Sequence, residues 1–389
     1  MKFDMIVIGG GLVGASLVVA LKDSGLKIAL IEPNEVAPLS QDGSWDSRVY
    51  AISPGSAAFL QKLGVWQSMA ASRITPVYDM AVVGDDHSAQ INFSAYEIGS
   101  SELAFIVENR QLQTAVWERL KSGSESITVF SPAKCTSIVW HESHVDVQLE
   151  NGQLLQTALV VGADGVNSWV RQQAGIEVAR HAYNQIGLVA NFRTEKSHRN
   201  VAHQWFRRDG VLALLPLPDK RVSMVWSTDE AHAGLLRDLP ATELCQQVAE
   251  ASSYRLGELQ LITPPIGFPL NFVHVNQLIK SRLVLIGDAA HGIHPLAGQG
   301  VNLGLRDARE LASILDSRGF QEDCGDFMLL RRYELARKED ILALELVTDG
   351  LQKLFCNTHP TIRRLRNLGL EITNRLPLIK NRLMQHALN

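Results

Sequence analysis

Cysteine is scarce. The 389 residues hold four, Cys135, Cys245, Cys324 and Cys356, far apart and with no CxxC pair. That spacing offers neither a zinc site nor a disulfide framework, and it fits a reducing cytosol. No run of about 18 apolar residues occurs, so no segment reads as a membrane span. The opening Met1-Lys2-Phe3-Asp4-Met5-Ile6-Val7-Ile8 carries an acid and runs straight into glycines, unlike a signal peptide. A basic excess is missing too: 37 Lys and Arg face 41 Asp and Glu, a net charge of −4. That balance excludes a globally basic nucleic-acid binder. There is no internal repeat and no low-complexity stretch. The chain is 46% hydrophobic and 20% charged, an ordinary globular composition, and long enough for two or three domains.

The charge is unevenly spread. Seven of the basic residues (Lys353, Arg363, Arg364, Arg366, Arg375, Lys380, Arg382) and one acid, Glu371, fall after Gly350, so the tail is +6 and the body −10. Within the tail, Ile362, Leu365, Leu368, Ile372 and Leu376 recur at spacings of three or four, which describes a basic amphipathic helix. Such a helix suits an anionic membrane surface or a protein partner, or simply packs on the body with a solvated charged face.

Along the body, Met5–Ile8 is an apolar run ending at Gly9-Gly10-Gly11. Leu12–Lys22 reads as a helix and Lys27–Ile31 as a second buried strand, so the chain opens with a βαβ unit. Gln111–Leu120 is an amphipathic helix. Ile127–Val129, Thr136–Trp140 and Val145–Leu149 read as strands, with Asn151-Gly152 as a turn and Leu159–Val161 as another buried strand. From about Tyr183 to Phe272 the character changes. Ile186–Phe192, Val211–Leu215 and Arg221–Trp226 predict an antiparallel sheet, with a helix over Thr242–Ala251. Leu283–Ile286 restores the buried-strand signature, and helices dominate beyond Gln299.

Three segments carry chemistry. Gly9-x-Gly11-x-x-Gly14 lies between strand and helix, where Gly9 permits a tight turn, Gly11 lets backbone approach a pyrophosphate and Gly14 allows close packing. Glu32 ends the second strand, placed to hold ribose hydroxyls. The second segment, Gly162-Ala163-Asp164-Gly165, puts a carboxylate after a buried strand, or is an Asp-Gly turn followed by Ser168 as a helix cap. The third runs from Gly287-Asp288 to Gly304. Asp288 again follows a buried strand, Pro295–Gly300 is a side-chain-poor loop on which a flat ring could lie, and the helix after it points its positive end back at that ring. His291 and His294 have no Cys or acid at ligand spacing and read as structural, so no metal site is expected.

On these residues the sequence resembles the flavoprotein aromatic hydroxylases of the p-hydroxybenzoate hydroxylase fold. Within that fold, His294-Pro-Leu-Ala-Gly-Gln-Gly-Val-Asn-Leu-Gly-Leu-Arg-Asp307 is similar to the signature of the ubiquinone-biosynthesis monooxygenases. The resemblance implies an α/β fold: a Rossmann-like FAD-binding domain (1–75, 100–182, 276–335), an inserted β-sheet substrate domain (76–99, 183–275) and a C-terminal helical segment (336–389). It implies FAD contacts at Gly9, Gly11, Leu12, Val13 and Gly14, at Glu32 on the adenosine ribose, at Arg48 beside the flavin, and at Asp288 on the ribityl chain. Pro295, Gly298, Gly300, Val301 and Asn302 complete that set, and Asp164 and Arg171 belong to a segment associated with both FAD and the nicotinamide donor. The family pattern departs at Asn109, where many relatives have Arg; Asn still offers a donor to a phosphate or ribityl oxygen.

The same resemblance implies hydroxylation of a prenylated phenol or quinol, using FAD, NADH or NADPH as transient donor and O2, through a flavin C4a-hydroperoxide. The solitary GxGxxG agrees with a donor that binds only in passing. No residue is assigned as catalytic base. Leu212–Pro218 either lines the substrate site or is a buried strand. A prenylated substrate favours a cytoplasmic protein in peripheral contact with the inner face of the membrane. The alternatives are a flavin reductase, a halogenase (though no Trp-x-Trp is present) or a non-catalytic flavin-bound scaffold.

Overall fold

The computed structural model describes residues 1–36, 39, 43–84, 90–122, 125–292, 299–319 and 322–356. The apolar run at the start becomes strand β1 (Lys2–Ile8), the glycines open helix α1 (Leu12–Ala20), and the chain returns parallel as β2 (Ile28–Ile31). Leu154–Gly162 lies parallel on the other side of β1, followed by Leu283–Leu285, while Ile127–Phe130 flanks β2. The chain therefore passes from β1 to β2 on one side and only later returns to pair on the other side of β1, which makes a topological switch point. In open α/β sheets, ligands bind in the crevice beyond the carboxyl ends of the strands at such a point. Gly9, Ala163 and Gly287 all emerge at that edge.

Helix α1 is buried nearly all round, from Leu12 to Val19. It is apolar on every side because the sheet, the helix Gly300–Asp316 and the helix Asn109–Lys121 all pack on it.

A second sheet holds nine strands, antiparallel apart from the parallel pair Val201–Arg207 and Asp79–Val83. Its long strand Val178–Thr194 pairs with Arg221–Asp229 on one side and Ile266–Val275 on the other. One face, with Leu188, Phe192, Leu212, Leu214, Met224 and Trp226, packs beneath the helices Glu230–Asp238 and Ala241–Ala251. The short strand His291–Gly292 adds to this sheet directly after the Gly287-Asp288 turn, so that turn is stitched to both sheets. A small sheet of Val49–Ile52, Ala104–Glu108 and Thr75–Val77 lies between them in sequence.

Most expected elements match the observed ones to within a few residues, but Ile186–Phe192 is the second half of the longer strand Val178–Thr194, and Leu159–Val161 the end of Leu154–Gly162. The boundary drawn at 182/183 falls in the strand Val178–Thr194, where its pairing with Ile266–Val275 shifts register between Ala182 and Gln185, and the one at 335/336 falls within the helix Phe327–Cys356. The basic tail from 357 onward lies outside the described residues, as do Pro295 and Gly298.

Candidate functional site

Glycine is obligatory at two corners of the opening turn. Gly9 has φ +109°, and a Cβ there would stand 2.3 Å from the Ala163 carbonyl; one on Gly14 would stand 2.1 Å from the Gly9 carbonyl. At Gly11 a Cβ would meet nothing within 4 Å, so the turn leaves a hollow at the start of α1. Gly11 is the N-cap and offers no side chain, and no acid occupies the first turn. The first N–H groups of the helix, including those of Leu12 and Val13, have no partner within the helix and face that hollow. The Leu12 side chain is buried, and Val13 packs against Gly287 and Gly304.

Glu32 holds this turn. It accepts from the Gly10 N–H at 2.7 Å and from the Asn34 N–H at 3.0 Å. The Gly10 carbonyl is held in turn by Trp117 Nε1 at 2.8 Å and Gln113 Nε2 at 3.1 Å, one helical turn apart on Asn109–Lys121. Neither residue stands out in the sequence as part of the site.

Asp164 accepts from the Val170 N–H through Oδ2 at 3.0 Å, while its Oδ1 is buried without a hydrogen-bond partner. Asp288 opens to the cleft. Its surroundings are crowded enough that desolvation raises its carboxyl above the ordinary range, against the pull of His291 and Arg48. Arg48 is exposed and spans two rings, 5.3 Å from the Tyr50 centroid and 5.6 Å from that of Phe268. Tyr50 donates its hydroxyl to Asn109 Oδ1 at 3.2 Å, and burial raises its pKa, so it stays a neutral phenol. Arg48, Tyr50, Asn109 and Asp288 therefore share one corner.

Two of the expected cofactor-site residues grip backbone through their side chains. Arg171 is buried and donates to the Ala289 carbonyl at 2.8 Å and the Val166 carbonyl at 2.9 Å, tying the Asp164 and Asp288 segments together. Asn302 is also buried; its Oδ1 accepts from the Ser53 N–H at 2.9 Å and its Nδ2 donates to the Ala51 carbonyl at 2.8 Å. Both fix the backbone around the cleft. Residue type alone does not reveal that direction. Gly300 and Val301 begin the helix Gly300–Asp316, whose N-cap Gln299 makes no side-chain cap, and a Cβ on Gly300 would meet open space.

Beneath the Gly287-Asp288 turn lies a buried charge cluster. Asp307 Oδ2 accepts from the Gly287 N–H at 2.9 Å and from His291 Nε2 at 2.6 Å, while Oδ1 accepts from Arg337 Nε at 2.7 Å. Burial opposes the Asp307 charge, yet His291 and Arg337 hold its carboxyl below the usual range. Burial likewise opposes a charged His291, and Asp307 outweighs it, raising that pKa. His291, for which the sequence offered no acid at ligand spacing, finds one in Asp307, sixteen residues along the chain.

The nine-stranded sheet supplies the opposite wall. Ile266, Val189, Val225, Ala213 and Gln204 are in register across it, as are Phe268, Gly187, Ser227 and Val211 in the next row. These residues lie on the face away from the covering helices. Asn191, on the same face, donates to the Asp46 carbonyl at 2.8 Å, two residues before Arg48. Ile266 and Phe268 are 44% and 38% exposed, large apolar groups open to the cleft. The strand Gly210–Leu217 does both things its sequence allowed: Leu212 and Leu214 enter the core, and Ala213 and Leu215 face the other way.

An uncapped helix start over a hollow, an unpartnered buried oxygen on Asp164 and a cleft-facing Asp288 fit a dinucleotide with a polyol chain. The FAD-binding-domain family matches residues 2–340 of this chain. The chain belongs to that family. It is similar to the 3-demethoxyubiquinol 3-hydroxylase of Escherichia coli, with 35% identity over 99% of this chain and 98% of that protein. It is similar as well to the ubiquinone hydroxylase UbiL of Rhodospirillum rubrum, with 33% identity over 99% of this chain and 89% of that protein. The crystal structure of Pseudomonas aeruginosa PqsL in complex with 2-aminobenzoylacetate superposes with a TM-score of 0.79, covering 96% of this chain and all of that one; at 21% identity it carries the fold alone. FAD is the cofactor, and the protein is a flavin monooxygenase.

Proposed function

We propose that this monooxygenase hydroxylates the ring of a prenylated phenol or quinol on the route to ubiquinone, drawing electrons from NADH or NADPH and oxygen from O2. The observation that carries the reading is the cleft itself: an anion-accepting, polyol-accepting edge faces an apolar sheet wall, in a chain related end to end to proteins named as ubiquinone-pathway hydroxylases.

FAD bound at the edge supplies the oxygen transfer. The N–H groups at the start of α1 receive its pyrophosphate, and the lone pairs of Glu32 not used by Gly10 and Asn34 receive ribose hydroxyls. Asp288 accepts from the ribityl hydroxyls, with Asp164 and Asn109 beside it. The uncapped N-terminus of Gly300–Asp316 favours negative charge where the reduced ring would lie. Arg48, held between Tyr50 and Phe268, brings a fixed cation to the ring end of the cleft. Ile266, Phe268, Val189 and Val225 exclude water and seat the aromatic head and the start of the prenyl tail. Arg171 and Asn302 act as positioning residues, through the backbone they hold.

We further propose a cytoplasmic protein resting on the inner face of the membrane. No helix among the described residues is long and apolar enough to cross a bilayer. The helix Phe327–Cys356 exposes Met328, Leu335 and Leu346 beside Arg331, Arg332 and Lys338, and the tail that follows is basic by sequence.

Deletion of the gene tests the reading. Mass spectrometry of lipid extracts should find a prenylated intermediate lacking one ring hydroxyl and a loss of ubiquinone. An unchanged quinone profile would overturn it.

A further inference from the structure

The hairpin joining the strands Cys135–Trp140 and Val145–Leu149 turns through Glu142 and Ser143. His141 and His144 face each other across it, with the His141 N–H donating to the His144 carbonyl at 2.9 Å. Asp146 follows two residues after His144, on the same side of its strand by the alternation of a β-strand. Backbone register thus brings two imidazoles and a carboxylate to one face. His141 Nε2 lies 3.1 Å from Asp146 Oδ2, and His144 Nε2 lies 3.7 Å from Asp146 Oδ1. The two rings stack at 4.4 Å with 21° between their planes, both turning Nε2 toward the same carboxylate. All three donor atoms fall within 4.8 Å of one another.

The surroundings orient these groups. Ser143 Oγ stands 3.1 Å from His144 Nδ1, on the far side of that ring, and Gln156 Nε2 donates to Asp146 Oδ1 at 3.4 Å. Arg282 anchors the turn, donating to the Glu142 carbonyl at 2.8 Å while paired with Asp323. A metal with bonds of about 2.0–2.1 Å in tetrahedral geometry separates its ligand atoms by about 3.3 Å. The observed imidazole–carboxylate separations of 3.1 and 3.7 Å bracket that value, and all three donors already lie within 4.8 Å of one another, so side-chain rotation brings them onto one ion.

We propose that His141, His144 and Asp146 bind one divalent transition-metal ion of the zinc, nickel or copper class. Two imidazoles and a single carboxylate are the wrong donors for calcium or magnesium, which take oxygen-rich sites, and the right ones for these borderline metals. Three protein ligands at a partly exposed position leave the remaining coordination to water. The bound ion would staple the two strands of the hairpin, independently of the flavin cleft. Metal competes with protons for the imidazoles, so affinity falls as they protonate.

The test uses the full-length, FAD-loaded protein with any affinity tag removed. Isothermal titration with zinc chloride should give one ion per chain at pH 7.5, at least tenfold weaker at pH 5.5. The double variant His141→Ala/His144→Ala should lose the binding, and Asp146→Asn should weaken it at least tenfold, with the flavin spectrum and metal-free melting temperature unchanged. Copper(II) on the unaltered protein should show nitrogen hyperfine splitting from two imidazoles in its electron paramagnetic resonance spectrum. No zinc uptake by the unaltered protein, uptake undiminished in the double variant, or a copper spectrum without two nitrogen ligands would each overturn the proposal; the first two would leave His141 and His144 as ion-pair partners of Asp146 only.

Discussion

Arg337 reaches from the last described helix to a carboxylate with no contact with water. Because Asp307 clamps both the Gly287 N–H and His291, this ion pair sets the turn that presents Asp288. Removing one partner of a buried pair leaves an uncompensated charge, at a cost of about 3–5 kcal/mol. Arg337→Met should therefore lower the melting temperature sharply and reduce FAD retention. The double change Asp307→Asn/Arg337→Met should cost less than the sum of the two single changes in thermal melts. Additive losses would show that the pair does not act as a unit. His203 makes a pH prediction. Burial, then Arg255 and His198, push its pKa down to about 4 from 6.5. Between those values the unfolded chain takes up a proton that the native imidazole refuses, so stability rises with pH across that window. The effect approaches about 3 kcal/mol at its acid end and vanishes above about pH 6.5. His203→Phe should flatten the slope in urea melts between pH 4.5 and 6.5; an unchanged slope would contradict a neutral buried imidazole.

Two glycines of one motif separate folding from binding at the scale of the element. A Cβ on Gly14 would collide with the Gly9 carbonyl, so Gly14→Ala should cost about 3 kcal/mol and disturb the join of β1 and α1. A Cβ on Gly11 projects into the hollow, so Gly11→Ala should melt like the unaltered protein yet hold FAD at least tenfold more weakly in flavin-release assays. Full retention would mean the pyrophosphate lies elsewhere. The β1–α1–β2 unit was legible because an apolar run, three glycines and a buried second run leave one reading, and Asn109–Lys121 was legible from its four-residue spacing. Other elements carried no such mark. Val49–Ile52 and Thr75–Val77 are short and find their partner, Ala104–Glu108, far along the chain. Asp79–Val83 pairs in parallel with Val201–Arg207, a long-range pairing no local pattern announces. The first half of Val178–Thr194 escaped notice because the strand breaks register near Asn184, at φ +52°. Arg171 and Asn302 grip backbone carbonyls beside the cleft, which the sequence does not mark, because a donor that grips a ligand and one that grips a carbonyl look the same in sequence. Trp117, Gln113 and Tyr50 were missed because nothing in a helix or strand pattern marks which side chain turns toward a distant glycine or arginine.

In the whole molecule, one sheet ends in the cleft at its carboxyl edge and the other turns toward it a face that is largely apolar, with Gln204, Ser227 and Asn191 among its residues. In the proposed membrane-surface reading, the basic tail would give access to a lipid-borne substrate. Changing Arg363, Arg364 and Arg366 together to Glu should markedly weaken binding to anionic liposomes, since each basic residue near such a surface contributes about 1 kcal/mol. Oxidation of NAD(P)H with a short-tailed, water-soluble phenol should survive, whereas turnover of a long-tailed substrate in vesicles should fall. Loss of both activities together with thermal stability would make the tail a packing element. Ring hydroxylation by molecular oxygen is decided by oxygen-18 labelling. Purified protein with FAD, NADH or NADPH, labelled O2 and a prenylated phenol should yield a product carrying one oxygen-18 atom on the ring, in step with the nicotinamide consumed. Nicotinamide oxidation that ends in hydrogen peroxide with an unlabelled ring, or a ring oxygen drawn from water, would contradict it.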